Sequence, residues 1–340
     1  MPIQTDFKFE QKHSRSARLP RTARQAAPGE SQDFLGLLRD LCGEAPAGNA
    51  QRTWKGKGFN MIWRPNNPVV TPDFGDQRHF LQLNMTDETL AFTDISGPTG
   101  IANRALLQED IFLGGVAYLQ TINDSFDNSG QHFEPGVFNN VPATSDPEVP
   151  ASIVRMGSIP HGTTINMQGR SFTTEQPRID PTSIVPFPIG GVDDGATGLI
   201  NFPEQDLSVE MNSRTDLARV AELDQAHLND PNQFLRDALQ GQTITETIVL
   251  TFSTDSTLPD AVPDIGGGAS NIAFLVGRSE PNSDMPRATS IFWIEKGTDR
   301  DGKPLLQLQY TQRVLLDFGG LSWPHVTVAT LRMVETPSDY

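Results

Sequence analysis

The sequence predicts an all-β protein, built as a single large antiparallel β-barrel with roughly ten strands. The chain has 340 residues, including 29 Gly and 26 Pro. These residues separate many short apolar runs, which is typical of strands joined by turns. No repeat with a period of roughly 20–50 residues is visible, which argues against a propeller or two copied domains.

The predicted strands follow one another along most of the chain. Ser152–Ile159 is followed by a segment, 161–168, that continues or pairs with it, and Gly169-Arg170 suits a tight turn. Asp301-Gly302 is predicted to turn the chain between two late strands. The remaining predicted strands are 53–63, 79–92, 111–122, 131–138, 171–174, 243–253, 271–276, 290–295, 305–316 and 326–334.

Two insertions interrupt the strands, at 176–240 and 255–290, within a single barrel domain that spans 31–340. Residues 176–206 are rich in Pro, Gly and Asp, and we expect them to form a long loop that covers one end of the barrel. A few short helices are predicted, one at 31–41 and one that begins near Asp230-Pro231, where Asp suits the N-cap and Pro the first helical position.

Charge and composition exclude several classes of partner. The net charge is −16, so the body of the protein should repel nucleic acid. Residues 1–30 hold six basic and three acidic residues and are predicted to form a disordered basic arm. Apolar runs long enough to span a membrane are absent from the sequence. Cys42 is the single cysteine, which excludes an intramolecular disulfide and suits a reducing compartment, so a cytoplasmic location is expected.

Three histidines stand out as candidates for chemistry. His132 and Glu134 lie two residues apart on a predicted strand, so both side chains point to one face. Together with His161 they could form a metal site, although a histidine oriented by a carboxylate in a polar barrel lining is the commoner arrangement. His325 begins the last strand beside Trp323, and neutral imidazole is the usual axial ligand of haem iron. Motifs of hydrolases, phosphate loops and dinucleotide sites are absent, so no catalytic residue is predicted.

Three stretches resemble the nitrobindin-like family of lipocalin-like, haem-binding β-barrels. TWKGKGFNMIW (53–63) resembles its opening strand, QHFEPGVF (131–138) its His-x-Glu-x-Gly-aromatic strand, and HVTVATL (325–331) its last strand. The chain would be an enlarged relative, and the resemblance covers about half of it. It implies that haem b binds with His325 as the iron ligand, leaving a site open for nitric oxide, peroxynitrite or peroxide. His132 and Glu134 would then form part of the barrel wall, and His161 would lie on the distal side.

Two alternatives to haem binding remain. The barrel could carry an apolar small molecule without iron. It could also be an enzyme, such as an isomerase, a hydratase or a peroxidase-like protein, with a metal at His132, Glu134 and His161. If haem-dependent, such an enzyme would act as a peroxynitrite isomerase or a peroxidase. The physiological ligand and a homodimeric state are left open by the sequence.

Overall fold

The computed structural model of the protein describes residues 51–95, 100–255 and 267–334. The predicted basic arm 1–30, the predicted helix 31–41 and Cys42 lie outside these residues. Within the described ranges, no helix is long and apolar enough to cross a membrane.

Long strands dominate the described chain, and its helices are short. The α-helices are α1 (Gln225–Asn229), α2 (Gln233–Ala238) and α3 (Ala273–Val276), with 3-10 turns at Pro72–Phe74, Pro203–Gln205 and Leu217–Val220. The strands are β1 (Gln51–Pro65), β2 (His79–Asp94), β3 (Ile101–Asn103), β4 (Ile111–Asp124), β5 (Gly130–Val141), β6 (Thr144–Ser145), β7 (Glu148–Val149), β8 (Ser152–Ile159), β9 (Thr163–Thr174), β10 (Phe187–Pro188), β11 (Thr243–Ser253), β12 (Gly268–Asn271), β13 (Asp284–Thr298), β14 (Pro304–Phe318) and β15 (Leu321–Met333).

Ten of these strands close into an antiparallel barrel, which confirms the predicted fold class. The order around the barrel is β1-β2-β4-β5-β8-β9-β11-β13-β14-β15. The last strand pairs antiparallel with the first, so that Asn60 lies opposite Thr327. Closure satisfies the hydrogen-bonding groups that an open sheet would leave at its two edges.

Two local predictions were wrong. Gly169-Arg170 lies inside β9 and makes no turn. A Cβ atom at Gly169 would collide with the backbone oxygen of Thr251 on the neighbouring strand, so this glycine permits a close approach of strands. The segment 271–276 is not a strand, because β12 ends at Asn271 and α3 follows it.

The barrel interior holds an apolar core at one level and a polar cavity at the next. Along β1, Trp54 belongs to the inner core, whereas Asn60 and Ile62 line the cavity. The last strand runs antiparallel to β1, so along it the cavity residue comes before the core residue. His325 lines the cavity, and Leu331 lies in the core. One end of the barrel is therefore packed, and the other contains a cavity.

A second apolar core lies on the outside of the barrel, beneath the segment 176–240. Outward-facing side chains of β1 and β15, such as Phe59 and Val328, pack there with Ile184 and Leu235 of this segment. The segment thus covers the side of the barrel instead of its end. None of its described residues lines the cavity.

Candidate functional site

A cavity of about 280 Å³ inside the barrel is lined by three of the chain's six histidines. His132 comes from β5, His161 from the turn between β8 and β9, and His325 from the start of β15. Barrel closure brings these distant segments together. The structure thus assembles in one place the three histidines that the sequence singled out.

The rest of the lining is mostly polar. Ile62 and Ile122 are its apolar side chains of appreciable size. The polar lining residues are Asn60, Gln82, Gln120, Gln131, Tyr310, Gln312 and Thr327. Amide groups both donate and accept hydrogen bonds, so this lining suits a ligand with polar groups of both kinds.

His325 is held in one orientation by Asn60. Its Nε2 lies 2.7 Å from Asn60 Oδ1, an oxygen that also accepts a hydrogen bond of 2.9 Å from the Thr327 hydroxyl. An amide oxygen can only accept, so Nε2 carries the proton and Nδ1 holds the lone pair. Burial, reinforced by His132 and His161, lowers the pKa of His325 to about 3. The imidazole is therefore neutral at physiological pH.

His132 and His161 are neighbours, but they do not complete a metal site. Their ring centroids lie 5.8 Å apart, and burial followed by repulsion from His132 lowers the pKa of His161. His132 Nε2 is 3.1 Å from Glu134 Oε2, while the other oxygen of Glu134 is occupied by Arg155. Among the described residues, no group of three or more His, Cys, Asp and Glu side chains could hold a metal ion.

A buried ion pair lies beneath the cavity. Glu134 and Arg155 are 0% and 1% exposed, and Arg155 Nη2 lies 2.8 Å from Glu134 Oε1. Tyr118 donates a hydrogen bond to the same oxygen, and Arg155 Nη1 reaches Gln312 Oε1 at 2.5 Å in the cavity wall. Burial is the largest single influence and would raise the pKa of Glu134, but the charge of Arg155 together with His132 and Tyr118 outweighs it, and the pKa falls to about 2.

A second buried carboxyl group lies behind Tyr310. The phenol of Tyr310 donates to Glu88 Oε2 and accepts a hydrogen bond of 2.8 Å from Gln120 Nε2. The other oxygen of Glu88 accepts from Thr86 at 2.8 Å. Burial raises the pKa of Glu88 to about 7 despite these hydrogen bonds. A buried carboxyl that titrates near neutrality beside a cavity is a frequent mark of a functional site.

Glycines make room for these buried polar groups. A Cβ atom at Gly58 would lie 2.7 Å from Glu88 Oε1, and one at Gly157 would lie 2.5 Å from Glu134 Oε1. A Cβ atom at Gly136 would collide with the phenol of Tyr118. The glycines inside the predicted strands are therefore the sequence signal for this network.

Trp323 lies away from the three histidines, in the outer core. Its rings stack on Phe318 with centroids 4.9 Å apart and pack against Trp63 at 5.4 Å. Its indole nitrogen donates to the backbone oxygen of Phe318 at 2.9 Å. Trp323 belongs to the outer core and is not among the residues that line the cavity.

Comparisons with known proteins leave the family open. No family model matches the chain, and no curated protein matches it. Among solved structures, the chain is similar to the crystal structure of Rv2717c from M. tuberculosis, with 12% sequence identity over 89% of this chain and 99% of that one. The TM-score is 0.36, too low to support a statement about this chain.

Proposed function

We propose that the protein binds a small, polar, uncharged molecule in the cavity lined by His132, His161 and His325. The observation that supports this proposal is the convergence of these three side chains on one cavity with a largely polar lining. Buried polar groups need hydrogen-bond partners, and a ligand that carries both donors and acceptors would supply them.

The size and charge of the cavity restrict the ligand. At about 280 Å³, the cavity lies just below the roughly 300–1,000 Å³ of sites for drug-sized molecules. The charges beneath it are paired, because Arg155 lies 2.8 Å from Glu134. The cavity therefore offers hydrogen bonds and little net charge, which favours a neutral ligand smaller than a typical drug.

Haem is the second candidate, in the manner of the nitrobindin-like family, and one observation favours it. His325 is a neutral imidazole on the cavity wall, the form that ligates iron. The other residues do not fit a whole haem: the cavity is small, its lining is polar, and Asn60 occupies Nε2 of His325. The same polar lining disfavours a carrier of apolar molecules.

Native mass spectrometry of the full chain, purified from its own host, tests the proposal. We expect a small polar adduct on the wild-type protein and none on an Ile62→Trp variant, in which the larger side chain fills the cavity. The matched control is Arg170→Trp, which places the same indole on the exposed face of β9 and should keep the adduct. An adduct that survives Ile62→Trp would refute the cavity as the binding site.

A hemin titration followed by visible absorption separates the two candidates. A stoichiometric Soret band that is lost in His325→Ala would establish haem binding through His325 and overturn the polar ligand. Hemin binding that is unchanged in His325→Ala would show that His325 is not the iron ligand.

A further inference from the structure

A second polar cluster lies on the opposite side of the barrel wall from the cavity. Thr247 of β11, Glu295 of β13 and Gln307 of β14 form a row of directly opposed residues across three strands, and Gln309 follows two residues along β14. All four side chains are 0% exposed. Directly opposed residues have Cβ atoms about 4.5–5.5 Å apart, so each member of the row lies beside the next, and Gln307 contacts Glu295 directly.

Alternation along the strands directs the cluster outward. Ile248, Ile294 and Leu308, each adjacent in sequence to a member, belong to the inner core. The four side chains therefore point to the outer face of the barrel, and helix α2 contacts one of them. Gln309 Nε2 donates a hydrogen bond of 3.0 Å to the backbone oxygen of Leu235 in that helix.

Each member of the cluster has one buried oxygen without a hydrogen-bond partner among the described groups. These atoms are Thr247 Oγ1, Glu295 Oε1, Gln307 Oε1 and Gln309 Oε1. The amide nitrogens are already used: Gln307 Nε2 donates to Glu295 Oε2 at 2.6 Å, and Gln309 Nε2 donates to Leu235 and to Thr330. A buried polar atom left without a partner is costly, and here four such oxygens belong to residues on three neighbouring strands.

We propose that Thr247, Glu295, Gln307 and Gln309 bind a monovalent metal cation, Na⁺ or K⁺. Carboxylate, amide and hydroxyl oxygens are the ligands that hard cations prefer. The cluster contains a single carboxylate, so a monovalent ion makes it neutral, whereas a divalent ion would leave an uncompensated charge in a buried place.

The cation would supply the partner that Glu295 Oε1 lacks among the described groups, while Glu295 Oε2 keeps its hydrogen bond from Gln307. Because Gln309 also donates a hydrogen bond to Leu235 of α2, the ion would stabilise the contact between the segment 176–240 and the barrel wall.

Thermal unfolding of the full chain at pH 8 tests the proposal. A ligand that binds only the folded state stabilises that state in proportion to the logarithm of the ligand concentration, once the site is filled. Tm should therefore rise by roughly 2–3 °C for each tenfold increase in KCl or NaCl concentration. Choline chloride at equal ionic strength should not produce this rise. An equal response to choline would overturn the proposal, and a response to CaCl₂ alone would overturn the monovalent assignment.

Two variants and a matched control locate the effect. Glu295→Gln should abolish the cation-dependent rise in Tm, and Thr247→Val, which keeps the shape but lacks the hydroxyl, should weaken it. Glu88→Gln is the control, because Glu88 is also a buried carboxyl with a pKa of about 7, yet both of its oxygens accept hydrogen bonds. The control should respond as the wild type does.

Crystals grown in RbCl give a direct readout, because Rb⁺ scatters anomalously and resembles K⁺. An anomalous peak among the four oxygens would support the proposal. Ordered water at that position without anomalous signal would overturn it and would assign the oxygens to hydration.

Discussion

Replacing Arg155 by methionine should destabilise the protein strongly, because it leaves Glu134 as a buried charge without its partner. Both side chains are almost fully buried, and Arg155 also hydrogen-bonds to Tyr118 at 3.1 Å and Ser290 at 3.0 Å. Removal of one member of such a pair costs about 3–5 kcal/mol. For a domain of this size, that loss corresponds to a decrease in Tm of roughly 5–8 °C.

Urea unfolding of the wild type, Arg155→Met and a control variant measures this loss. Arg178→Met is the matched control, because Arg178 pairs with Asp180 on the surface, where both side chains are mostly exposed, and it should change stability by less than about 0.5 kcal/mol. The double variant Arg155→Met/Glu134→Gln should recover part of the loss, since no charge remains buried. A loss below about 1 kcal/mol in Arg155→Met would refute the proposed role of the ion pair.

Three further predictions concern the groups around the cavity. The folded-state pKa of His325 is about 3 and its ordinary value is 6.5. As the pH decreases from 6.5 towards 3, the unfolded state therefore binds the proton first, and the free energy of unfolding should fall. Urea unfolding of His325→Phe across this pH range should show a smaller decrease. The pKa of Glu88 is raised from 4.5 to about 7, so the free energy of unfolding should fall as the pH rises through that interval. Glu88→Gln should reduce this dependence of stability on pH. An unchanged dependence would assign the titration to another group. Gly58→Ala should cost about 1–3 kcal/mol, because its Cβ would collide with the backbone oxygen of Val328 and press on Glu88. In Gly130→Ala the nearest atom is 3.9 Å away, so this variant should be close to neutral by thermal melting.

The barrel could be predicted from the sequence because its strands are long and are separated by clear turn residues. The chain turns at Gly302, which adopts a φ of +76°, as the Asp-Gly pair predicted. The apolar run 272–276 was misassigned because a short apolar run fits a strand and a helical turn equally well. Helix α2 begins at Gln233 with Asn232 at its N-cap, later than the Asp-Pro signal indicated, because Asp230 instead ends α1.

The site could be predicted only in part. Histidine is rare in this chain, so His132, His161 and His325 stood out individually, but only strand closure shows that they share a cavity. Glu88 and Arg155 did not stand out, because a charged residue that alternates with apolar ones is typical of a strand face exposed to water. Which face of a strand points inward depends on the closed barrel, and here part of the inner face is polar while part of the outer face is apolar.

The outer core has a consequence for how the protein tolerates mutation. Along the middle of β1, consecutive residues from Gly58 to Met61 are all buried, because one face meets the interior and the other meets the segment 176–240. A saturation scan should therefore find almost no permissive position there. In β5, exposed Phe133 and Pro135 flank buried Glu134, so permissive and restrictive positions should alternate. Substitutions should therefore be tolerated at alternate positions on the side of the barrel formed by β5. They should be tolerated at few positions on the side formed by β1, where both faces of the strand make contacts.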